Sequence, residues 1–143
     1  MSVASQRIVV VLDGSEDSER GLGWARLLAR RSDSAVHLLL IQPPAALRVA
    51  GHVVAFADEV EEAARVSARA YLESAAARLR EHGLRVETDL RFGCAPDVVR
   101  AAVADTDADI VVAGSADSVA LRGALRTAPV PVLVTGHQYP RFA

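Results

Sequence analysis

The stretch "RIVVVLDGSEDSERGLGWARLLARRS", residues 7–32, changes its hydrophobic period partway along. Arg7 to Gly14 is a continuous apolar run, rich in β-branched residues and stopped by Asp13-Gly14, the pattern of a strand buried on both faces. Ser15 then stands as an N-cap, Glu16 and Asp17 occupy a first helical turn where carboxylates are favoured, and Leu22, Ala25, Leu28 and Ala29 share one face of a helix ending near Arg31. A buried strand passing at once into a helix is the unit from which parallel sheets are built.

The rest of the chain repeats that unit. "AVHLLLIQPP" (35–44) is a second apolar run broken by two prolines, and "AALRVAGHVVAF" (45–56), with weak periodicity and a glycine, reads as a mobile connection. A long Ala/Glu/Arg-rich helix from about Ala57 to His82 follows, with Gly83 as its C-cap. "LRVETDLRFG" (84–93) alternates as a third strand, "APDVVRAAVADTDA" (95–108) is a helix with Asp97 near its start, and "DIVVAGS" (109–115) is a fourth strand. A short helix after Ser118 leads to a last strand, "VPVLVTG" (130–136), and the tail "HQYPRFA" is read as frayed or loosely packed. Alternating strands and helices predict a single α/β domain over residues 1–143, a doubly wound parallel sheet with helices on both faces. Ligands in such folds sit at the carboxyl ends of the strands, here "LDGS", "IQPP" and "AGSADS".

Composition excludes several function classes. The 143 residues are 51% hydrophobic but only 4% aromatic, which suits Val/Leu/Ile strands covered by Ala-rich helices. A net charge of −2 supplies no basic field for nucleic acid. There is no lysine, so a P-loop lysine, a Schiff base and a lysine general base are all excluded. The single cysteine, Cys94, cannot form an internal disulfide, and the four histidines are scattered, so neither an oxidised scaffold nor a metal cluster is indicated. "MSVASQR" has no signal-peptide core and no run is long enough to span a bilayer; the expectation is a cytoplasmic protein without a membrane partner.

Three segments in order, "RIVVVLDGSEDSERGLGWARLLAR", "DADIVVAGS" and "SVALRGALRTAPVPVLVTG", resemble the universal stress proteins, and the similarity covers nearly the whole chain. The resemblance implies a Rossmann-like five-stranded parallel sheet of order 3-2-1-4-5 and a homodimer paired through the last strand. It also implies one of two functional subclasses, of which one binds ATP and the other has lost it. In the binding subclass the Asp after the first strand contacts the adenosine moiety, backbone near the end of the second strand touches adenine, and a loop of pattern G-x2-G-x9-G-[ST] wraps the phosphates. Glycines let backbone N–H groups approach the anionic oxygens, and the final Ser or Thr opens a helix whose N-terminus favours negative charge.

Carried over residue by residue, Asp13, Gly14 and Ser15 match the first element, Ile41 falls near the adenine-contacting position, and Gly114 and Ser115 open the phosphate loop. The second glycine of that loop is replaced by Asp117, and its closing Ser-Val aligns with Ser118-Val119, about ten residues early for the motif spacing. Losing several charge-assisted N–H bonds, each worth roughly 1.5–3 kcal/mol, would remove most triphosphate affinity, and Asp117 would repel an incoming anion while capping its own helix. The resulting expectation is a non-catalytic, dimeric regulatory module in stress response that binds an unidentified protein partner or ligand, with no required cofactor. The alternative is a sensor that keeps the adenosine half of the site and takes AMP or ATP.

Several residues keep two readings. Asp13 can hold a ribose or adenine edge or simply close a turn and cap the next helix; Ser115 and Ser118 can donate to phosphate or serve as turn and cap residues. Cys94 reads as a small buried hydrophobe rather than a thiol sensor, and His37 as a satisfied core or edge histidine. In the last strand Pro129 and Pro131 mark an edge, and an apolar edge left bare aggregates. Pairing with a second copy through Val130, Val132, Leu133 and Val134 removes that hazard.

Overall fold

A computed structural model of the chain describes residues 6–14, 16–31, 34–42, 48–49, 52–53, 57–114 and 119–135. Its elements in chain order are β1 (Arg7–Leu12), α1 (Glu16–Arg31), β2 (Ala35–Gln42), β3 (Arg48–Val49), β4 (His52–Val53), α2 (Ala57–Arg80), β5 (Arg85–Phe92), α3 (Ala95–Thr106), β6 (Ile110–Ala113), α4 (Val119–Arg126) and β7 (Val132–Val134). The five long-range strands form one parallel sheet in the order β5-β2-β1-β6-β7, which is the expected 3-2-1-4-5 arrangement. Within the segment read as a mobile connection, β3 and β4 pair antiparallel as a small separate ribbon. The last strand is shorter than the apolar run suggested, because Pro129 and Pro131 cannot donate to a ladder and pairing begins in earnest only at Val132.

Two cores lie on opposite faces of the sheet, as the period of two along each strand dictates. Ile8, Val10, Leu12, Leu38 and Leu40 point toward α1 and α2, where Leu22, Ala25, Leu72 and Leu79 meet them. Val9, Val11, Leu39 and Val111 point the other way, against Val98, Val99, Ala102 and Val103 of α3 and Ala124 and Leu125 of α4. Small residues on the helices let them approach the sheet closely, which is how a chain with few aromatics still fills its interior.

Two glycines of α1 illustrate opposite uses of that residue. A Cβ added at buried Gly21 would sit 3.2 Å from the backbone N of Gly114 and 3.3 Å from Val10 Cγ1, so a bare Cα is what lets α1 lie against the end of β6. A Cβ at Gly23 would meet nothing within 4 Å, and that position is exposed. Gly21→Ala is therefore expected to lower stability by about 1 kcal/mol, the overpacking cost exceeding the helix-propensity gain, while Gly23→Ala is expected to raise it by roughly 0.5–1 kcal/mol. Urea melts of the two variants check this; a stabilising Gly21→Ala would show that α1 can lift off β6 without penalty.

Candidate functional site

Strand register assembles three of the candidate residues. Leu12 is level with Leu40 and Val11 with Ala113, so the next positions, Asp13, Ile41 and Gly114, fall within one residue of a common row across the carboxyl ends of β1, β2 and β6. The chain leaves β1 toward β2 on one side and later returns to β6 on the other, so this row spans the switch point where an open α/β sheet forms its crevice. Asp13 is exposed at the mouth, Ile41 is half-buried against the α3 side, and Gly114 is buried.

The turn after β1 is locally determined. Gly14 has φ +90°, a left-handed conformation that side chains resist, so the Asp-Gly pair turns the chain into α1 at low cost. The backbone N–H of Asp13 donates to Ser18 Oγ at 3.3 Å, and Ser18 itself is buried. Behind it, the Tyr71 hydroxyl of α2 is buried beside Ser18 and Glu19 without reaching hydrogen-bond geometry. Burial, and after it the Glu19 carboxylate, push the Tyr71 pKa above its ordinary value, with Ser18 and Arg78 opposing. Ser15, Ser115, Asp117 and Ser118 lie outside the described residues. What is described around the second loop is its length: β6 ends at Ala113 and α4 begins at Val119.

A polar network that sequence reasoning missed runs over the α3 face of the sheet. His37 Nε2 is 2.9 Å from Asp89 Oδ2 and His37 Nδ1 is 3.7 Å from Glu87 Oε2. Arg91 Nε donates to the same Asp89 oxygen at 2.9 Å, and Arg91 Nη2 is 3.0 Å from Asp105 Oδ2 on α3. Burial works against the Arg91 charge, but the bonds to Asp89 and Asp105 outweigh it and hold the guanidinium more basic than usual. The signal was the alternation of "RVETDLRF", whose odd positions are all charged. His37 is thus the satisfied histidine expected of it. At the amino ends of β1, β2 and β5, opposite the crevice, a cavity of about 350 Å³ is lined by Arg7, His37, Arg85, Glu87 and Asp105 among others.

Cys94 departs from expectation. It is exposed at the N-cap position of α3, where the chain must turn out of the sheet before Pro96 can start the helix, and its thiol caps no backbone N–H. Among the described residues no group of three His, Cys, Asp or Glu side chains is placed to hold a metal ion. None of the described helices is long and apolar enough to cross a membrane.

The last strand sorts the four residues expected at a dimer seam. Val130 and Val132 pack partly against the α3 and α4 core and Leu133 against the opposite one, which leaves Val134 as the exposed member, at 42%. Val111 N–H donates to Pro131 O at 3.0 Å and Thr135 N–H to Ala113 O at 2.8 Å, so the odd positions of β7 face β6. In a parallel ladder the even positions, Val132 and Val134, then turn their N–H and C=O groups to the open edge.

Comparison with known proteins places this geometry. No curated protein matches the chain. Among solved structures, a universal stress protein family member from Burkholderia pseudomallei is 22% identical, with a TM-score of 0.76 over 94% of this chain and 98% of that one. A universal stress protein from Archaeoglobus fulgidus in complex with dAMP is 23% identical, TM-score 0.68, over 93% of this chain and 98% of that one. A family protein from Arabidopsis thaliana with AMP bound is 20% identical, TM-score 0.67, over 92% and 91%. At these identities the likeness shows the fold. The model of the universal stress protein family matches residues 4–136. With nearly its whole length matched, the chain belongs to the universal stress protein family.

Proposed function

We propose that this protein is a non-catalytic regulatory module that works as a homodimer and whose crevice is fitted to adenosine carrying one phosphate or none, rather than to a triphosphate. The observation that carries the reading is the distance from strand to helix: α4 starts at Val119, five residues after Gly114, where the triphosphate-wrapping pattern needs about fourteen. Asp13 stands exposed at the mouth, where a ribose would lie, and the main chain beside Ile41 falls in the same row, where an adenine edge would lie; the structural relatives from Archaeoglobus fulgidus and Arabidopsis thaliana hold dAMP and AMP. The sequence has no lysine to serve as a Schiff base or general base, which supports a binding role over turnover.

A ligand that binds only the native state stabilises it by mass action, by about 2.7 kcal/mol at a hundred times Kd, and so raises its melting temperature. AMP is therefore expected to raise Tm by several degrees, ATP with Mg²⁺ by clearly less at the same concentration, and Asp13→Ala to reduce the AMP response. A larger shift with ATP than with AMP overturns the monophosphate reading. Sustained nucleotide turnover, scaling with protein through purification, overturns the non-catalytic one.

A further inference from the structure

Resting on the nucleotide reading of the crevice, we infer that Tyr71 is the residue through which α2 regulates it: a positioning residue whose hydroxyl acts through Ser18 to hold the Asp13 turn in the form that receives adenosine. The row of Asp13, Ile41 and Gly114 comes from the ends of β1, β2 and β6, and α2 supplies none of it. The Tyr71 hydroxyl is nevertheless buried without a hydrogen-bond partner, the one such side-chain atom among the described residues. A buried hydroxyl left unpaired lowers stability, and a phenylalanine ring would pack equally against the α1 and α2 core, so packing does not account for the oxygen.

Its place gives it a use. Tyr71 stands on α2 beside Ser18 and Glu19 of α1. Ser18 Oγ accepts the Asp13 N–H at 3.3 Å, longer than such bonds usually are, so the turn that presents Asp13 is held loosely by the side chain that Tyr71 adjoins. A serine oxygen has two lone pairs, and in the bound form Ser18 Oγ takes the Tyr71 O–H along with the Asp13 N–H. The second bond fixes the serine rotamer, and with it the place of Asp13 at the mouth. Ser18 is itself buried, which keeps water from standing in for the tyrosine.

A neighbouring ion pair makes the coupling stiff. Arg78, two turns along α2 from Tyr71, engages Glu19 Oε1 at 2.6 Å, and Glu19 follows Ser18 directly. The start of α1 is thus tied to α2 at the level of Tyr71, so a shift of the Asp13 turn is read at the tyrosine rather than lost in sliding of the helices. The same pair draws off the Glu19 carboxylate, the other acceptor beside Tyr71, in favour of Ser18. By linkage the effect is reciprocal: AMP in the crevice brings the Tyr71 hydroxyl its partner, and a partnered hydroxyl tightens AMP. Loss of that oxygen therefore weakens the bound state and spares the free one.

The test uses the full chain with AMP as the probe. Tyr71→Phe removes an unpaired group, so it is expected to leave the Tm of the AMP-free protein unchanged or raised, and yet to weaken AMP about fivefold in calorimetric titration. Ser18→Ala is expected to weaken AMP at least as much, and Tyr71→Phe to add nothing further in that background, because the hydroxyl acts through the serine. Tyr139→Phe leaves Tyr71 as the sole tyrosine, and in the ring-labelled protein its Cζ resonance is expected to move with AMP saturation, although its buried hydroxyl touches nothing in the crevice. In Ser18→Ala that movement is lost. Equal AMP affinity for wild type and Tyr71→Phe, additive losses in the double variant, or a Cζ resonance indifferent to AMP overturns the inference and leaves the nucleotide reading in place. So does a lowered Tm of AMP-free Tyr71→Phe, which would show the hydroxyl already paired in the free protein. A wild type that binds no AMP overturns both.

Discussion

Val134→Pro is expected to convert the proposed dimer into a folded monomer. Proline at an edge strand is harmless to the parent sheet when the lost N–H faces outward, and the N–H of Val134 does, since the bonds from β7 to β6 use Pro131 and Thr135 on either side. The two natural prolines, Pro129 and Pro131, occupy odd positions, so they spare the donors at Val132 and Val134 that a second copy would use. In a twofold dimer each lost donor is lost twice and each ring also stands in the partner's path, which amounts to about 3 kcal/mol or a hundredfold in Kd. Light scattering after size exclusion checks the mass, and circular dichroism checks the fold. Substituting Leu133 is a poorer test, because that side chain packs partly into the α1 and α2 core and its loss would also weaken the monomer. A Val134→Pro protein that stays dimeric would move the interface off this edge.

Most of the sheet was legible because the signals that define it are local. Unbroken runs such as "RIVVVL" and "HLLLI" can be buried only on both faces, and the intervening amphipathic stretches can only cross over them. The row of Asp13, Ile41 and Gly114 followed from strand ends. What was not legible depends on neighbours far away in sequence. The odd positions of β5 look like a solvated edge until the fold brings Asp89 to His37 and Arg91 to Asp105, 14 residues on. Cys94 was misread for the same reason: its type is often buried, but its place at the start of α3 lies at the sheet rim, outside both cores. Which leucines of α1 the core takes was not legible either, because a Leu-rich helix says which residues are apolar, and only packing says which of them the core leaves out. Leu22 and Leu28 are taken up; Leu27 is not.

Leu38→Ala and Leu39→Ala are expected to be the costliest single truncations in β2 and to differ from each other. Both residues are fully buried on a strand flanked by β1 and β5, yet they point into opposite cores. Removing Leu38 empties space walled by Leu12, Leu22, Leu72 and their neighbours, large side chains held by two helices, so little can move in and the loss is about 4 kcal/mol. Removing Leu39 opens space against Val99, Ala102 and Val103, close to the polar face of β5, where relaxation of α3 recovers part of the cavity and the loss is about 3 kcal/mol. Either value is a large share of the 5–15 kcal/mol that holds a typical domain together, and Tm should fall by roughly 10 °C. Dimerisation would make the apparent stability depend on concentration, so urea unfolding is best compared in the Val134→Pro background. If Leu39→Ala costs less than about 1 kcal/mol there, α3 does not cover β2 as the fold requires. If the two costs add in a double variant that still folds, the sheet separates two independent cores.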